Sequence, residues 1–312
     1  MGIKGVGINA DSKRINGRLR RFELELKTLS ELGFDYIEIA PQAVDAILHG
    51  KLNPYKIDDI LRIARFFDVK YTVHGPDLVN LKDIEHSKMQ RDVLKASVDF
   101  AEKLDSEIVV YHLGTFIEGI GLYYEQRKKE IDSLKEIAEY AKDKGISIAV
   151  ENTKQSAQEV VDTIRSVNMD NVGMTLDFGH LYLWAKKYNE DYMKQVEIAL
   201  EYTIHMHIHD NFGEDPSVYR YENEQPEVYR LSLGLGDLHM PIGWGDIPYD
   251  RIFEMIRESD FSGVLVNEIN SWERYFNAVK NLPDVTRLAY KGEFTFQDKS
   301  TNGYYYKGYY YR

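Results

Sequence analysis

Eight short runs rich in β-branched residues, each followed by a longer stretch of helical periodicity, set the tightest limit on how this 312-residue chain can fold. The runs occupy residues 4–8, 36–40, 70–74, 108–112, 146–151, 172–177, 204–209 and 264–268, with helical patterns at 18–32, 57–67, 87–104, 124–144, 157–167, 189–202 and 249–259. Gly33 and Gly145 fall where a helix hands over to a strand, as a left-handed helix stop requires. Strand–helix alternation predicts a parallel sheet. Eight strands without a glycine-rich fingerprint after the first predict a closed (β/α)8 barrel rather than an open doubly wound sheet. No repeat or linker divides residues 1–290, which read as one catalytic domain. Residues 291–312 change character. There Asn302-Gly303, between the aromatic runs 293–296 and 304–306, signals a β-hairpin packed on the barrel or on a sister subunit, a route to a homo-oligomer.

Composition removes several classes of function. No run of about eighteen apolar residues exists to span a membrane, and the N-terminus lacks the three regions of a signal peptide. With no cysteine, thiol chemistry and disulfides are excluded and a cytoplasmic location is the expectation. A net charge of −12 disfavours DNA as a partner, although metal ions could supply positive charge inside an acidic cleft.

Residues 204–210, Ile-His-Met-His-Ile-His-Asp, place His205, His207 and His209 on one face of a strand and Ile204, Met206 and Ile208 on the other. Buried imidazoles need acceptors or a metal ion. Other strand ends supply matching groups: His74, His112, Glu151, Asp177 with His180 one turn on, Asp237 with His239, and Glu268. In a barrel these ends share one mouth, as do the long loops 41–56 and 210–244. Any one of these residues alone reads better as a hydrogen-bonded rim histidine or a helix cap. Imidazole and carboxylate from six consecutive strands point instead to metal binding. Nine candidates exceed the needs of one ion and suit two or three divalent ions with bridging carboxylates. Imidazole and carboxylate donors suit zinc, manganese, iron and cobalt alike.

The segments Val-His74-Gly-Pro-Asp-Leu-Val-Asn80-Leu, Tyr-His112-Leu-Gly, Val-Glu151-Asn-Thr, Leu-Asp177-Phe-Gly-His180, Met-His207-Ile-His-Asp210, Gly-Asp237-Leu-His239-Met-Pro-Ile-Gly243-Trp-Gly245 and Asn-Glu268 together resemble the xylose isomerase-like barrel superfamily. That superfamily includes endonuclease IV and the sugar-phosphate isomerases and epimerases. The resemblance covers residues 1–275 and implies that His74, His112, Glu151, Asp177, His180, His207, Asp237, His239 and Glu268 are ligands of a trinuclear zinc site. On this register His207, not His209, is the ligand. His209 stands where the family often has a small polar residue, and it joins Glu151 and Glu268 as a candidate catalytic residue, facing substrate or buttressing a ligand. The loop after strand two is nearly free of positive charge, and the insertion after strand seven mixes Arg220 and Arg230 with Glu214, Asp215, Glu222, Glu224 and Glu227. This departs from the basic loops with which endonuclease IV grips DNA. A small phosphorylated or sugar substrate is expected instead, with Asn80, Arg220 and Arg230 as candidate contacts.

Two enzymatic readings compete. In the first, a metal-bound hydroxide cleaves a phosphoester, preferentially a phosphodiester. In the second, one ion held by Glu151, Asp177, His207 and Glu268 serves a sugar or sugar-phosphate isomerase or epimerase, with Glu151 and Glu268 as acid and base. The second leaves His112, His180 and Asp237 without a role as ligands and ranks lower. A metal-stabilised binding module that uses the tyrosine tail ranks last.

Overall fold

A computed structural model describes residues 2–214 and 227–296, together with the backbone of two short strands, Tyr304–Tyr306 and Tyr309–Tyr311. Its centre is a closed barrel of eight strands: β1 (Gly5–Asn9), β2 (Tyr36–Ile39), β3 (Lys70–His74), β4 (Ile108–His112), β5 (Ser147–Glu151), β6 (Val172–Asp177), β7 (Thr203–Ile208) and β8 (Val264–Asn267). Each strand pairs in parallel with its neighbours in the sequence order, and β8 closes on β1. Parallel neighbours need a crossover, which the helices provide outside the barrel.

The strands are apolar on the side that meets those helices. Ile37, Ile39, Val73, Val109, Ile148, Val150, Leu176, Met206, Ile208 and Leu265 are all fully buried. The helix Leu19–Glu31 returns Phe22, Leu26 and Leu29 to the same core. Each such burial contributes about 2 kcal/mol of hydrophobic stabilisation.

Expected and observed elements agree within a few residues at most ends. The helix expected at 189–202 contracts to Tyr192–Leu200 because the Asp191 side chain caps the Lys194 N–H. Asn189 instead ends the preceding helix, Phe178–Tyr188, in the left-handed conformation at φ 53°. That helix and Leu282–Lys291 are additional to the helices that the sequence pattern predicts. The first begins directly at the end of β6, where the Asp177 side chain accepts the His180 N–H at 2.6 Å, so no intervening loop announces it.

Of the long loops, residues 41–56 form a 3-10 turn, Pro41–Val44, and a small hairpin, Ile47–Leu48 with Lys51–Leu52. A tyrosine hairpin exists in the tail, but its partners differ from those expected: Tyr304–Tyr306 pairs with Tyr309–Tyr311. Phe296 cannot supply the other strand. It is buried against Tyr249 and Phe253, and its N–H donates to Asp250 at 2.8 Å. Asn302-Gly303 lies outside the described residues, as does Arg220. Among the described residues no helix is long and apolar enough to cross a membrane.

Candidate metal centre

Barrel register brings distant residues level. His112 is the Cα partner of Glu151, and Asp177 that of His207. His74, Glu268 and the loop residues Asp237 and His239 complete the same rim. All nine residues expected as ligands converge in overlapping clusters, three of which contain them all, with His209 joining the one around Asp237.

In the first group the Nε2 atoms of His74 and His112 lie 3.2 Å apart, and each is 3.3 Å from Glu151 Oε2. In the second, His207 Nδ1 is 3.3 Å from both Glu151 Oε1 and Glu268 Oε2 and 3.8 Å from Asp177 Oδ2. In the third, Asp237 Oδ2 lies 3.0 Å from His180 Nε2 and 2.8 Å from His239 Nε2. Ligands about 2.0–2.2 Å from a tetrahedral ion stand about 3.3–3.6 Å from one another. The first two groups are spaced for this, and Glu151 gives one oxygen to each.

Unmet hydrogen bonding points the same way. Among the described residues, buried side-chain atoms without a hydrogen-bond partner include both oxygens of Glu151, His207 Nδ1, His209 Nδ1, Asp237 Oδ1 and Glu268 Oε2. Native interiors rarely leave such atoms unmatched. A donor set of imidazole nitrogen and carboxylate oxygen, orphaned and convergent, fits divalent ions.

Charge adds a further reason. Burial would keep His74 neutral, but Glu151 beside it lifts its pKa to about 10. His239 rises to about 9 against the same desolvation through Asp237 and Glu268. His180 and His207 are also raised well above the ordinary imidazole value by their carboxylate neighbours. Desolvation opposes ionisation of Glu151 and Asp237, yet the surrounding imidazoles hold both well below the usual carboxylate range. The rim therefore demands positive charge, from protons or from metal ions.

The loop carrying Asp237 and His239 is held by Asp210, which follows β7. Its backbone exchanges hydrogen bonds with Met240 at 2.8 and 3.1 Å, and its carboxylate accepts the N–H groups of Gly243 and Ile247. Burial pushes the Asp210 carboxyl up to about 6. His239 sits in the left-handed region at φ 44°, with its Nδ1 donating to the Glu268 carbonyl at 3.0 Å.

The remaining expected residues divide. His209 is fully buried, its Nε2 3.1 Å from both oxygens of Asp177 and its ring stacked on His239 at 3.9 Å. It buttresses a rim carboxylate and offers substrate no surface. Gly179 makes room for it, since a Cβ there would collide with the His209 ring. Gly179→Ala is expected to destabilise the protein by about 1–3 kcal/mol, seen as a lower Tm in calorimetry. Asn80 borders the cavity, but its amide is committed to the Thr115 carbonyl at 2.8 Å and the Lys82 N–H at 3.0 Å, so it shapes the wall rather than reaching outward.

Glu38 on β2 escaped the sequence reading. It is buried beneath the rim, with Oε1 2.9 Å from His207 Nε2 and Oε2 3.0 Å from His205 Nε2. The available signal was a lone carboxylate inside the apolar run Tyr36-Ile-Glu38-Ile.

A cavity of about 750 Å³ opens above the first and third groups. His112, His180 and Asp237 form its floor, and Lys154, Trp184, Lys187, Tyr188 and Arg230 are among the residues of its wall. Floor ligands with cations above them suit an anionic small molecule.

Residues 26–286 match the family model described as xylose isomerase-like TIM barrel. The chain belongs to that family. Its relatives include the uncharacterized protein MJ1311 of Methanocaldococcus jannaschii, 25% identical over 77% of this chain and 76% of that one. A probable endonuclease 4 of Mycoplasma mycoides subsp. mycoides is 23% identical over 70% of each chain. Among solved structures, a D-tagatose 3-epimerase-like protein superposes with a TM-score of 0.70 at 21% identity, covering 92% of this chain and 98% of that chain. The IOLI protein with a bound zinc atom reaches 0.66 at 19% identity, covering 93% and 99%. Members of this superfamily are enzymes of endonuclease, epimerase and isomerase types.

Proposed function

We propose that this chain is a divalent-metal enzyme that hydrolyses a phosphoester in a small anionic substrate. The observation that carries the proposal is the presence of three ligand groups, two of them joined through the opposite oxygens of Glu151. A single-ion isomerase needs only Glu151, Asp177, His207 and Glu268, and has no use for an Asp237–His180–His239 set beside them at the cavity floor. Divalent ions bound there would polarise a phosphoryl oxygen and make water a stronger nucleophile near neutral pH. Glu151 fixes the spacing of the first two groups, and Asp177 and Glu268 complete the second. Asp237, His180 and His239 face the leaving side, while Arg230 and Lys154 neutralise substrate charge at the wall. The acidic surface and small cavity favour a small molecule over DNA as substrate.

The isomerase reading is supported by the clustering of Glu151, Asp177, His207 and Glu268 at one point, with Glu151 Oε1 and Glu268 Oε2 each 3.3 Å from His207 Nδ1. Elemental analysis separates the two readings: about three zinc ions per chain are expected for the hydrolase and one for the isomerase. The double variant Asp237→Ala/His239→Ala is expected to lose phosphoesterase activity by roughly 10²–10³-fold while keeping the ions of the other two groups. Undiminished phosphoesterase activity in that variant would remove the hydrolase proposal.

A further inference from the structure

We infer that Glu38 is a positioning residue that fixes the proton of His207 on Nε2 and so leaves Nδ1 free to bind a metal ion. The inference rests on the reading of His207 as a ligand.

Three rim histidines are mounted in one way. The Nδ1 atoms of His74, His180 and His239 meet the carbonyls of Gly75 at 2.8 Å, Asn152 at 3.1 Å and Glu268 at 3.0 Å, which turns each Nε2 toward the site. His207 is mounted in reverse. Its Nδ1 faces Glu151 and Glu268, and its Nε2 faces the carboxylate of Glu38 at 2.9 Å. A ring nitrogen that carries a proton has no lone pair to give, and a neutral imidazole protonates the nitrogen whose partner accepts. For the other three histidines a main-chain carbonyl makes that choice. For His207 a side chain makes it, and the choice is therefore open to mutation.

Glu38 is itself held. Its Oε2 accepts the Thr72 hydroxyl at 2.9 Å and the His205 Nε2–H at 3.0 Å, leaving Oε1 for His207. Thr72 is the Cα partner of Glu38 in the neighbouring strand, so the barrel register sets this pair. His205 gains a purpose by the same route: the first imidazole of the β7 row is no ligand but anchors the carboxylate that orients the second.

Glu38→Gln is the test. The amide can accept from one imidazole only, and its NH₂ opposes the other. With the wild-type protein as reference, zinc affinity is measured by competition with a chromophoric chelator, and cobalt serves as a spectroscopic probe. Loss of 10–100-fold in affinity for one ion, with an altered cobalt absorption and the other ions retained, is expected. In a His207→Ala background Glu38→Gln should change nothing more, because its effect passes through that ring. Unchanged affinity, or an equal loss in both backgrounds, overturns the inference. If Glu38→Gln does not fold, ring-¹⁵N-labelled wild-type protein loaded with zinc decides: His207 protonated at Nε2 supports the inference, and at Nδ1 overturns it. Wild-type protein that binds no divalent ion would overturn the proposed function as well, and that outcome is read before any variant is compared.

Discussion

Glu151→Gln is expected to release two of the bound ions and to lower turnover by at least about 10³-fold, the equivalent of roughly 4 kcal/mol of transition-state stabilisation. Among the described residues, no other rim residue sends its two oxygens to different ligand groups at 3.3 Å each. An amide keeps the shape but loses the charge, and its nitrogen end cannot bind a cation. The same change should weaken the metal-free protein. Glu151 is fully buried and faces His74, His112, His180 and His207 at 3.3–3.4 Å, so the variant leaves positive charge without its counterion. Breaking a buried ion pair from one side costs about 3–5 kcal/mol. Elemental analysis, turnover and the Tm of stripped protein at pH 6 form one set of measurements. If Glu151→Gln keeps its full ion content, the shared-carboxylate arrangement is wrong.

The barrel was legible because its signal is repeated. Eight apolar runs at regular intervals specify a period, and an error of two residues at any one end leaves topology and mouth unchanged. The nine rim residues were legible for a related reason: strand ends are points that periodicity locates, and imidazole or acid is rare at the end of an apolar run. Glu38 defeats this logic. It lies inside its strand rather than at the end, and a carboxylate in the middle of Tyr36-Ile-Glu-Ile is ordinary on a strand with one wet face. Only barrel closure, which sets β2 opposite β7, shows that the face is sealed and that His205 and His207 are waiting there. His209 misled for the complementary reason. Alternation correctly put it on the interior face with the other two, but how far its ring stands from the cavity depends on the helix that begins at Phe178 and on Gly179 beneath the ring. In the tail, Asn-Gly marked a turn by local chemistry, while the Phe296 side chain was already committed to Tyr249 and Phe253.

Stripped and zinc-loaded protein should respond to pH in opposite directions, and the gap between their melting temperatures should widen from pH 5 to pH 8. In the metal-free state His74 and His239 hold their protons up to about 10 and 9, against an unfolded value of about 6.5. Binding protons more tightly when folded, they contribute stability that is complete below about pH 6.5 and is lost as pH rises through 9 and 10. His180 and His207, also raised, act in the same sense. The depressed carboxylates Glu38, Glu151, Asp237 and Glu268 contribute above their unfolded values near pH 4, and that contribution is lost in acid. Stripped protein is therefore expected to be most stable between about pH 5 and 6.5 and to lose stability toward alkaline pH. Metal ions need those imidazoles without their protons, so zinc binding strengthens over the range in which the stripped protein weakens. An ion present at about a thousand times its Kd contributes roughly 4 kcal/mol, which corresponds to a Tm difference of about 6 °C at pH 8 for a chain of this size. At pH 5 protons compete and the difference should shrink to a few degrees. Thermal melts with zinc or with a chelator, at several pH values, read this directly. A gap that stays constant or narrows as pH rises would mean that the clustered imidazoles exchange no protons for metal, and the candidate centre would lose its chemical basis.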